Sequence, residues 1–244
     1  MNTKITNSLV LLTLSLIMLT ACGSPRVISG SGNLEAKSIP VGGFHHIVLG
    51  GVGEVVILQN GEESMSVETD DNLLQYVRAD VQGDTLHLSL VVPGFGTAKP
   101  SLLRFTLGVG DLVSLEADGI WTVTSDTLVT DNLEFILTGS NKIAITSLTG
   151  KDLSVRVSGS ADIKLSGTVT HQSIKFIGGG KYDAGDLSSE TTGFLSDGTG
   201  LITVWATGNL TGTLNGGGSV HYYGAPQTTF TQSGTGNIQS LGNK

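Results

Sequence analysis

A phrase of about twenty residues recurs along the second half of the chain, and its spacing is the strongest constraint on the fold. One copy reads VRVSGSADIKLSG, from Val155 to Gly167. In each copy a glycine stands between two short segments in which apolar and polar residues alternate. Successive glycines are 20, 20, 19, 20, 18 and 18 residues apart, at Gly119, Gly139, Gly159, Gly178, Gly198, Gly216 and Gly234. A fixed period of this length is typical of solenoid proteins.

Apolar residues hold fixed positions relative to each glycine. Four residues after it stand Val123, Ile143, Ile163, Tyr182, Ile202, Val220 and Ile238. Four residues before it stand Leu115, Phe135, Val155, Ile174, Phe194, Gly212 and Phe230. Because alternate side chains of a strand face the same way, the repeat predicts an all-β parallel β-helix with coils of about 18–20 residues. The alternative is an antiparallel sandwich or barrel with regularly spaced strands.

The first 21 residues have the features of an export signal. Lys4 precedes an apolar run, Leu9 to Leu19, that is too short to span a membrane. The run ends in Leu19-Thr20-Ala21-Cys22, which resembles the lipobox of bacterial lipoproteins. The resemblance implies that residues 1–21 are removed and that Cys22 is lipidated. An ordinary signal peptide or an uncleaved anchor is the alternative.

Composition narrows the classes of function. Cys22 is the single cysteine, so once it is lipidated the chain has no thiol for a disulfide, a nucleophile or a metal site. The formal charge of −8 argues against nucleic-acid binding and against a body that lies flat on anionic lipid. The chain has 35 glycines and 5 prolines alongside many β-branched residues, a composition that indicates strands joined by tight turns rather than disorder.

The remaining organisation is less regular. We expect a tether over residues 22–29, an irregular β section over residues 30–92, a connecting loop over residues 93–100 and the regular β-helix over residues 101–241. Within the irregular section, Asp70 to Val77 is expected to form one helical turn with Asp70 or Asp71 as its N-cap.

Several blocks of the chain carry a family resemblance. The first block is Phe44, Ile47, Gly51, Gly53, Val55, Ile57 and Gln59; the second is Val67, Asp70, Asp71, Leu73 and Leu74; the third is Gly83, Asp84, Thr85, Leu86 and Leu88. Together with the glycine repeats they resemble the "putative auto-transporter adhesin, head GIN domain" family of bacterial envelope proteins. The resemblance implies a right-handed β-helix and supplies no catalytic residues. We expect no membrane barrel of the kind an autotransporter needs, so the family description does not by itself predict self-secretion.

Parallel β-helices often act on polysaccharides, so we considered carboxylate pairs. Asp162 is the one acid three residues after a repeat glycine, and Asp183 and Asp186 lie close together in sequence. Glycoside hydrolysis needs two carboxylates about 5–9.5 Å apart. We expect these three acids to be solvated turn residues. Gly178 to Asp183 echoes a calcium-binding repeat only once, so we expect a glycine bend there and no metal or other cofactor.

Histidines and aromatic residues are the other candidates. The histidines are His45, His46, His87, His171 and His221, and the first two should point to opposite faces of a strand. Trp121, Trp205, Tyr222 and Tyr223 could stack on sugars. Trp121 and Trp205 belong to coils that are four apart, so we expect these aromatic residues to serve in the core or at the end of the coil stack.

The sequence therefore predicts a non-enzymatic, lipid-anchored protein of the bacterial cell envelope. Its membrane contact is the lipid anchor, and its exposed Thr, Ser and Asn residues would meet an envelope protein or a glycan. In a bacterium with two membranes, Gly23 after Cys22 resembles the signal for outer-membrane sorting. The alternatives are a polysaccharide hydrolase or lyase and an accessory protein of envelope stress or signalling.

Overall fold

The structure is a computed structural model that describes residues 26–94 and 96–244. Thirteen strands and one short 3-10 helix make up its regular elements. The strands are β1 (Val27–Ser29), β2 (Leu34–Ile39), β3 (His46–Leu58), β4 (Ser64–Asp70), β5 (Val77–Gln82), β6 (Thr85–Leu90), β7 (Thr97–Lys99), β8 (Leu103–Gly108), β9 (Ser114–Gly198), β10 (Leu201–Leu214), β11 (Ser219–Tyr223), β12 (Gln227–Gln232) and β13 (Asn237–Ser240). The 3-10 helix is Leu74–Tyr76. The all-β prediction is confirmed.

Parallel pairing dominates the second half and follows the sequence repeat. Ile202 of β10 lies beside Tyr182 of β9 on one side and Val220 of β11 on the other. Val220 in turn lies beside Ile238 of β13. Each step joins residues 18 or 20 positions apart, as the repeat predicts. At the other end of β9, Val123 pairs with Val55 of β3.

The repeat glycines lie directly against one another. β9 is one long segment that contains five of them, the last being its final residue, Gly198. A Cβ placed on Gly139 would be 2.4 Å from the carbonyl oxygen of Gly119, and one on Gly159 would be 2.5 Å from that of Gly139. Both residues also have positive φ, at 91° and 131°. A side chain would therefore meet the neighbouring repeat and strain its own backbone, so only glycine fits the bend.

One interior column contains a glycine because two phenylalanines meet across it. Gly212 of β10 pairs with Phe194 on one side and Phe230 on the other. The two rings have centroids 5.9 Å apart, and a Cβ on Gly212 would lie 2.4 Å from the Phe194 ring. The aromatic pair thus fills the interior space that a side chain on the middle strand would otherwise occupy.

Tyr182 places a polar group in the interior column that otherwise holds aliphatic residues. Its side chain is fully buried, and its hydroxyl donates a hydrogen bond to the Gln172 Oε1 atom at 3.0 Å. Burial raises the pKa of Tyr182, so the hydroxyl stays protonated and remains a donor. The buried amide oxygen of Gln172 therefore has a partner.

The first part of the chain mixes parallel and antiparallel pairs. β2 with β4, β4 with β8, and β5 with β6 are antiparallel. β3 pairs in parallel with β6 and β8 along one side and with β9 along the other. The buried apolar residues of both parts form one continuous core. β3 is therefore the strand through which the irregular section joins the repeats.

The helical turn expected at Asp70 is wrong in its position. Asp70 ends strand β4, the 3-10 helix begins at Leu74, and its N-cap Leu73 makes no side-chain capping bond. The buried Asp70 carboxylate instead accepts hydrogen bonds from the backbone N–H groups of Gly32 and Ser101, each at 2.7 Å. Asp70 therefore joins three separate segments, which a local capping pattern does not predict.

Two short strands lie where the sequence suggested a tether and a loop. β1 pairs in parallel with β7, and the Gly30 N–H donates to the Lys99 carbonyl at 2.9 Å. Part of the expected tether is thus fixed to the folded body. Cys22 and the signal segment 1–21 lie outside the described residues. Within the part of the chain that the structure describes, no helix has the length and apolar character needed to span a membrane.

Candidate functional site

The structure brings several of the predicted site residues to one groove on the outside of β9, β10 and β11, which we call the end groove. Its volume is 360 Å³. The residues that line it are Lys181, Asp183, Gly185, Asp186, Leu201, Thr203, His221, Tyr223, Leu241 and Lys244. Asp162 is not among them. Of the three candidate acids, the structure therefore brings Asp183 and Asp186 to one groove.

A bulge in β9 shapes this groove. Val204 pairs with Ala184 and the next residue, Trp205, pairs with Ser188, so Gly185 to Leu187 are extra residues on β9. Leu187 is buried in the core, whereas the Asp186 side chain is 62% exposed. Since a bulge redirects side chains and backbone groups, it turns the Gly185 carbonyl and the Asp186 carboxylate toward the groove.

Two aromatic side chains lie at one side of the end groove. Trp205 and Tyr223 are directly paired on β10 and β11. The Lys244 Nζ atom lies 4.9 Å from the centroid of the Tyr223 ring and 5.5 Å from that of the Trp205 ring. The same ammonium donates hydrogen bonds to the Gly185 carbonyl, at 2.6 Å, and to the Asp186 carboxylate. These four groups surround one cation.

The second carboxylate of the groove is also paired with a lysine. Asp183 accepts a hydrogen bond of 2.7 Å from the Lys181 Nζ atom and a longer one from the Gly185 N–H. Burial raises the pKa of Asp183, but these hydrogen bonds and the charges of Lys181 and Lys164 outweigh it and hold the pKa below its ordinary value. A general acid for glycoside hydrolysis needs the opposite shift. Asp183 is therefore suited to binding a cation.

The other aromatic residues have core roles. Trp121 is buried, packs against Phe105 with ring centroids 6.3 Å apart, and lies against Gly53. Tyr222 is partly buried and contacts Phe230. The expectation of core and end positions is confirmed for these two. Sequence analysis missed the pairing of Trp205 with Tyr223, although their separation of 18 residues equals the local repeat and could have revealed it.

A second groove, of 480 Å³, crosses several repeats on another face. His46 and His171 are among its lining residues, with buried Leu133 and Leu153 also in its wall. Arg156 and Glu134 form an ion pair of 2.7 Å inside it. The His46 Nδ1 atom is 2.6 Å from the Ser114 hydroxyl oxygen. Among residues 26–94 and 96–244, no group of three His, Cys, Asp or Glu side chains is arranged to hold a metal ion.

An exposed polar surface is formed by β10 and β12. Asn209, Thr211 and Thr213 pair in register with Gln227, Thr229 and Thr231. Five of these six side chains are exposed, and Thr213 is partly exposed. We call these six residues the threonine ladder. The six side chains lie on one face because every second residue of a strand faces the same way and the register has no shift across this pair.

One family model matches most of the chain. The profile of the family described as "Putative auto-transporter adhesin, head GIN domain" matches residues 43–226. No curated protein matches the chain.

Solved structures of similar fold come from Bacteroides and Parabacteroides species. A crystal structure named as a "putative adhesin" from Bacteroides fragilis is 25% identical, covers 88% of this chain and all of its own, and has a TM-score of 0.75. A "putative adhesin" from Parabacteroides merdae (17% identity, TM-score 0.67) covers 88% of this chain and 99% of its own. A "putative lipid binding protein" from Parabacteroides distasonis (22%, TM-score 0.65) covers 88% and 100%. The latter two show the shared fold alone.

Proposed function

Because the chain belongs to the head GIN domain family of adhesin-like proteins, we propose that it is a lipid-anchored protein of the bacterial envelope that acts as a non-enzymatic interaction module. In this proposal the repeats display an exposed polar surface to another envelope protein or to a glycan. The observation that carries it is the threonine ladder, which presents hydroxyl and amide groups in register on an exposed face.

The fold we propose for the repeats is a right-handed parallel β-helix. Parallel pairing at offsets of 18 and 20 residues supports it, as does the direct contact of one repeat glycine with the next. Each repeat contacts mainly its neighbours in such a solenoid, so the array supplies a long, stiff surface.

The proposed anchor is a lipid on Cys22. The first described strand begins at Val27 and is paired with β7. Val27 is five positions after Cys22, so a fully extended connection spans at most about 18 Å. An acylated Cys22 would therefore hold the folded body close to the membrane surface and limit the distance between the membrane and the threonine ladder.

Lipidation is tested in a bacterium that expresses the full chain. The wild-type protein should incorporate radiolabelled palmitate and partition into detergent, whereas Cys22→Ser should do neither. Ser24→Ala, a substitution two residues further on, is the matched control and should behave like the wild type. A Cys22→Ser protein that still carries the label would show that the anchor is wrong.

Binding by the ladder is tested separately with a glycan array and an envelope pull-down. Thr211→Lys with Thr229→Lys replaces the centre of the ladder with charge, and we expect loss of whatever the wild-type protein retains. Thr235→Lys, exposed but outside the ladder, should bind normally. Equal binding by all three proteins would contradict the proposed surface. Depolymerisation of a uronate polymer by the wild-type protein would contradict the non-enzymatic role.

A further inference from the structure

The Lys244 ammonium has more partners than a surface lysine needs. Exposed ion pairs usually consist of one carboxylate and one cation in water. Here a carboxylate, a backbone carbonyl and two aromatic rings converge on the same nitrogen atom. All four groups belong to β9, β10 and β11 in the folded body. They form a site whose occupant is a side chain from elsewhere in the chain.

We propose that Trp205, Tyr223, Asp186 and the Gly185 carbonyl form a recognition site for the side-chain ammonium of a lysine on a partner protein. Lys244 occupies this site in the free protein and must leave before the partner binds. The inference goes beyond the proposed threonine ladder, which lies elsewhere on the surface.

The chemistry of the site matches an ammonium ion. The face of an aromatic ring attracts a cation within about 6 Å of its centroid, and tryptophan and tyrosine are the strongest of the aromatic side chains in this respect. A carboxylate and a carbonyl oxygen accept the ammonium protons as charge-assisted hydrogen bonds. A guanidinium is planar and wider, and a neutral amide would lose the attraction of both the rings and the carboxylate.

Lys244 can be displaced from the site because few contacts hold the residues around it to the folded body. The segment that precedes Lys244 is held by backbone hydrogen bonds from Leu241 to Tyr222 and from Gly224 to Gly242. After Gly242, the contacts that hold the segment are the hydrogen bonds and ring contacts of the Lys244 ammonium described above. The Asp186 side chain is 62% exposed and the Lys244 side chain 30% exposed, so a competing lysine can reach the carboxylate from solvent.

A lysine from a partner should bind better than other cations because the site already holds a lysine, Lys244. The occupant is a lysine side chain, so the groove has room for the aliphatic stem as well as for the ammonium. Leu201, Leu241 and Tyr223 line the groove beside it. A partner that presents an exposed lysine therefore reproduces contacts that this chain makes with itself.

Nα-acetyl-lysine amide is the probe, and tryptophan fluorescence is the signal. Trp121 is buried and gives a constant background, so the change reports Trp205. We expect saturable binding to Lys244→Ala with a dissociation constant in the millimolar range, as is ordinary for a ligand of this size. The wild-type protein should bind several-fold more weakly, because the tethered Lys244 competes at an effective concentration of order millimolar.

Three controls make the result specific. Trp205→Phe with Lys244→Ala should lose the signal, and calorimetry should still detect binding because the Tyr223 ring and the Asp186 carboxylate remain. Asp186→Asn with Lys244→Ala should bind about tenfold or more weakly, since a charge-assisted hydrogen bond is lost. The diacetylated lysine amide, which has no ammonium, should not bind. Circular dichroism confirms that each variant is folded.

Absence of saturable binding to Lys244→Ala, or equal binding of the diacetylated probe, would overturn the proposal.

The unaltered protein gives a second test through amine labelling. Lys151 also has a carboxylate partner, Asp131 at 2.8 Å, but its side chain is 65% exposed. We expect Lys244 to be labelled several-fold more slowly than Lys151, and Asp186→Asn to remove most of that difference. Equal labelling of both lysines in the wild-type protein would also overturn the proposal.

Discussion

Adding a single methyl group to a repeat glycine should destabilise the fold. In Gly159→Ala the new methyl group would lie 2.5 Å from the Gly139 carbonyl oxygen, on a residue whose φ is 131°. The strained backbone alone costs about 1–3 kcal/mol, and the contact adds to this. We expect a lower free energy of unfolding, measured by urea denaturation. Gly110→Ala, where nothing lies within 4 Å of the new atom, should change it by about 0.5 kcal/mol or less.

A single buried carboxylate should govern part of the response to acid. Burial raises the pKa of Asp70, but the N–H groups of Ser101 and Gly32 outweigh it and lower the pKa below its ordinary value. A lowered pKa means that Asp70 stabilises the fold above the pKa it has in the unfolded chain, about 3.9, and that this contribution is lost as pH falls through the folded-state value.

Asp70→Asn should accordingly be less stable than the wild type at pH 7, and the difference should shrink in acid. Thermal unfolding between pH 7 and pH 2.5 measures both curves. Asp80→Asn, at an exposed position on β5, is the control and should follow the wild-type curve. If the Asp70→Asn difference stayed constant across this range, the carboxylate would not be the group responsible.

At the scale of the elements, the sequence repeat predicted the parallel strands well and the first part of the chain poorly. The column through Tyr182, Ile202 and Val220 was predictable because alternation along a strand and a fixed glycine spacing together define register. The double pairing of β3 and the bulge at Gly185 depend on partners distant in sequence. No local pattern contains that information, and the end groove is built from such features.

Substitutions at Gly212 and Phe194 test whether the glycine and the neighbouring ring share one interior space. Gly212→Ala would place a methyl group 2.4 Å from the Phe194 ring, and overpacking of this kind costs about 1–3 kcal/mol. Phe194→Ala alone should cost about 3–5 kcal/mol through the cavity it leaves. Because the added methyl group occupies part of that cavity, the double variant should lose less stability than the sum of the two single changes. Additive losses would show that the ring and the glycine do not share the space.

At the scale of the whole molecule, stability should decline toward the last repeat. In the proposed solenoid each unit is supported by its neighbours, so opening should begin at an end and spread inward. Among the described strands, β12 pairs with β10 alone and β13 with β11 alone, and both are largely exposed. In the middle of β9, by contrast, Gly139 lies against Gly119 on one side and against Gly159 on the other, so this part has a neighbouring repeat on each side. Hydrogen exchange followed by mass spectrometry should find β12 and β13 exchanging on the order of 100-fold faster than the middle of β9.

Two variants separate this end-opening from global unfolding. Phe230→Ala removes the ring that packs on Phe194 and Tyr222 at the last repeats, so it should speed exchange in β11 and β12 and leave β4 and β8 nearly unchanged. Phe105→Leu, in the core beside Trp121, should do the reverse. The effect of each substitution stays local only if each repeat is stabilised mainly by the repeats next to it. One common exchange rate for all strands, shifted equally by both variants, would mean that the repeats and the irregular section unfold as one cooperative unit.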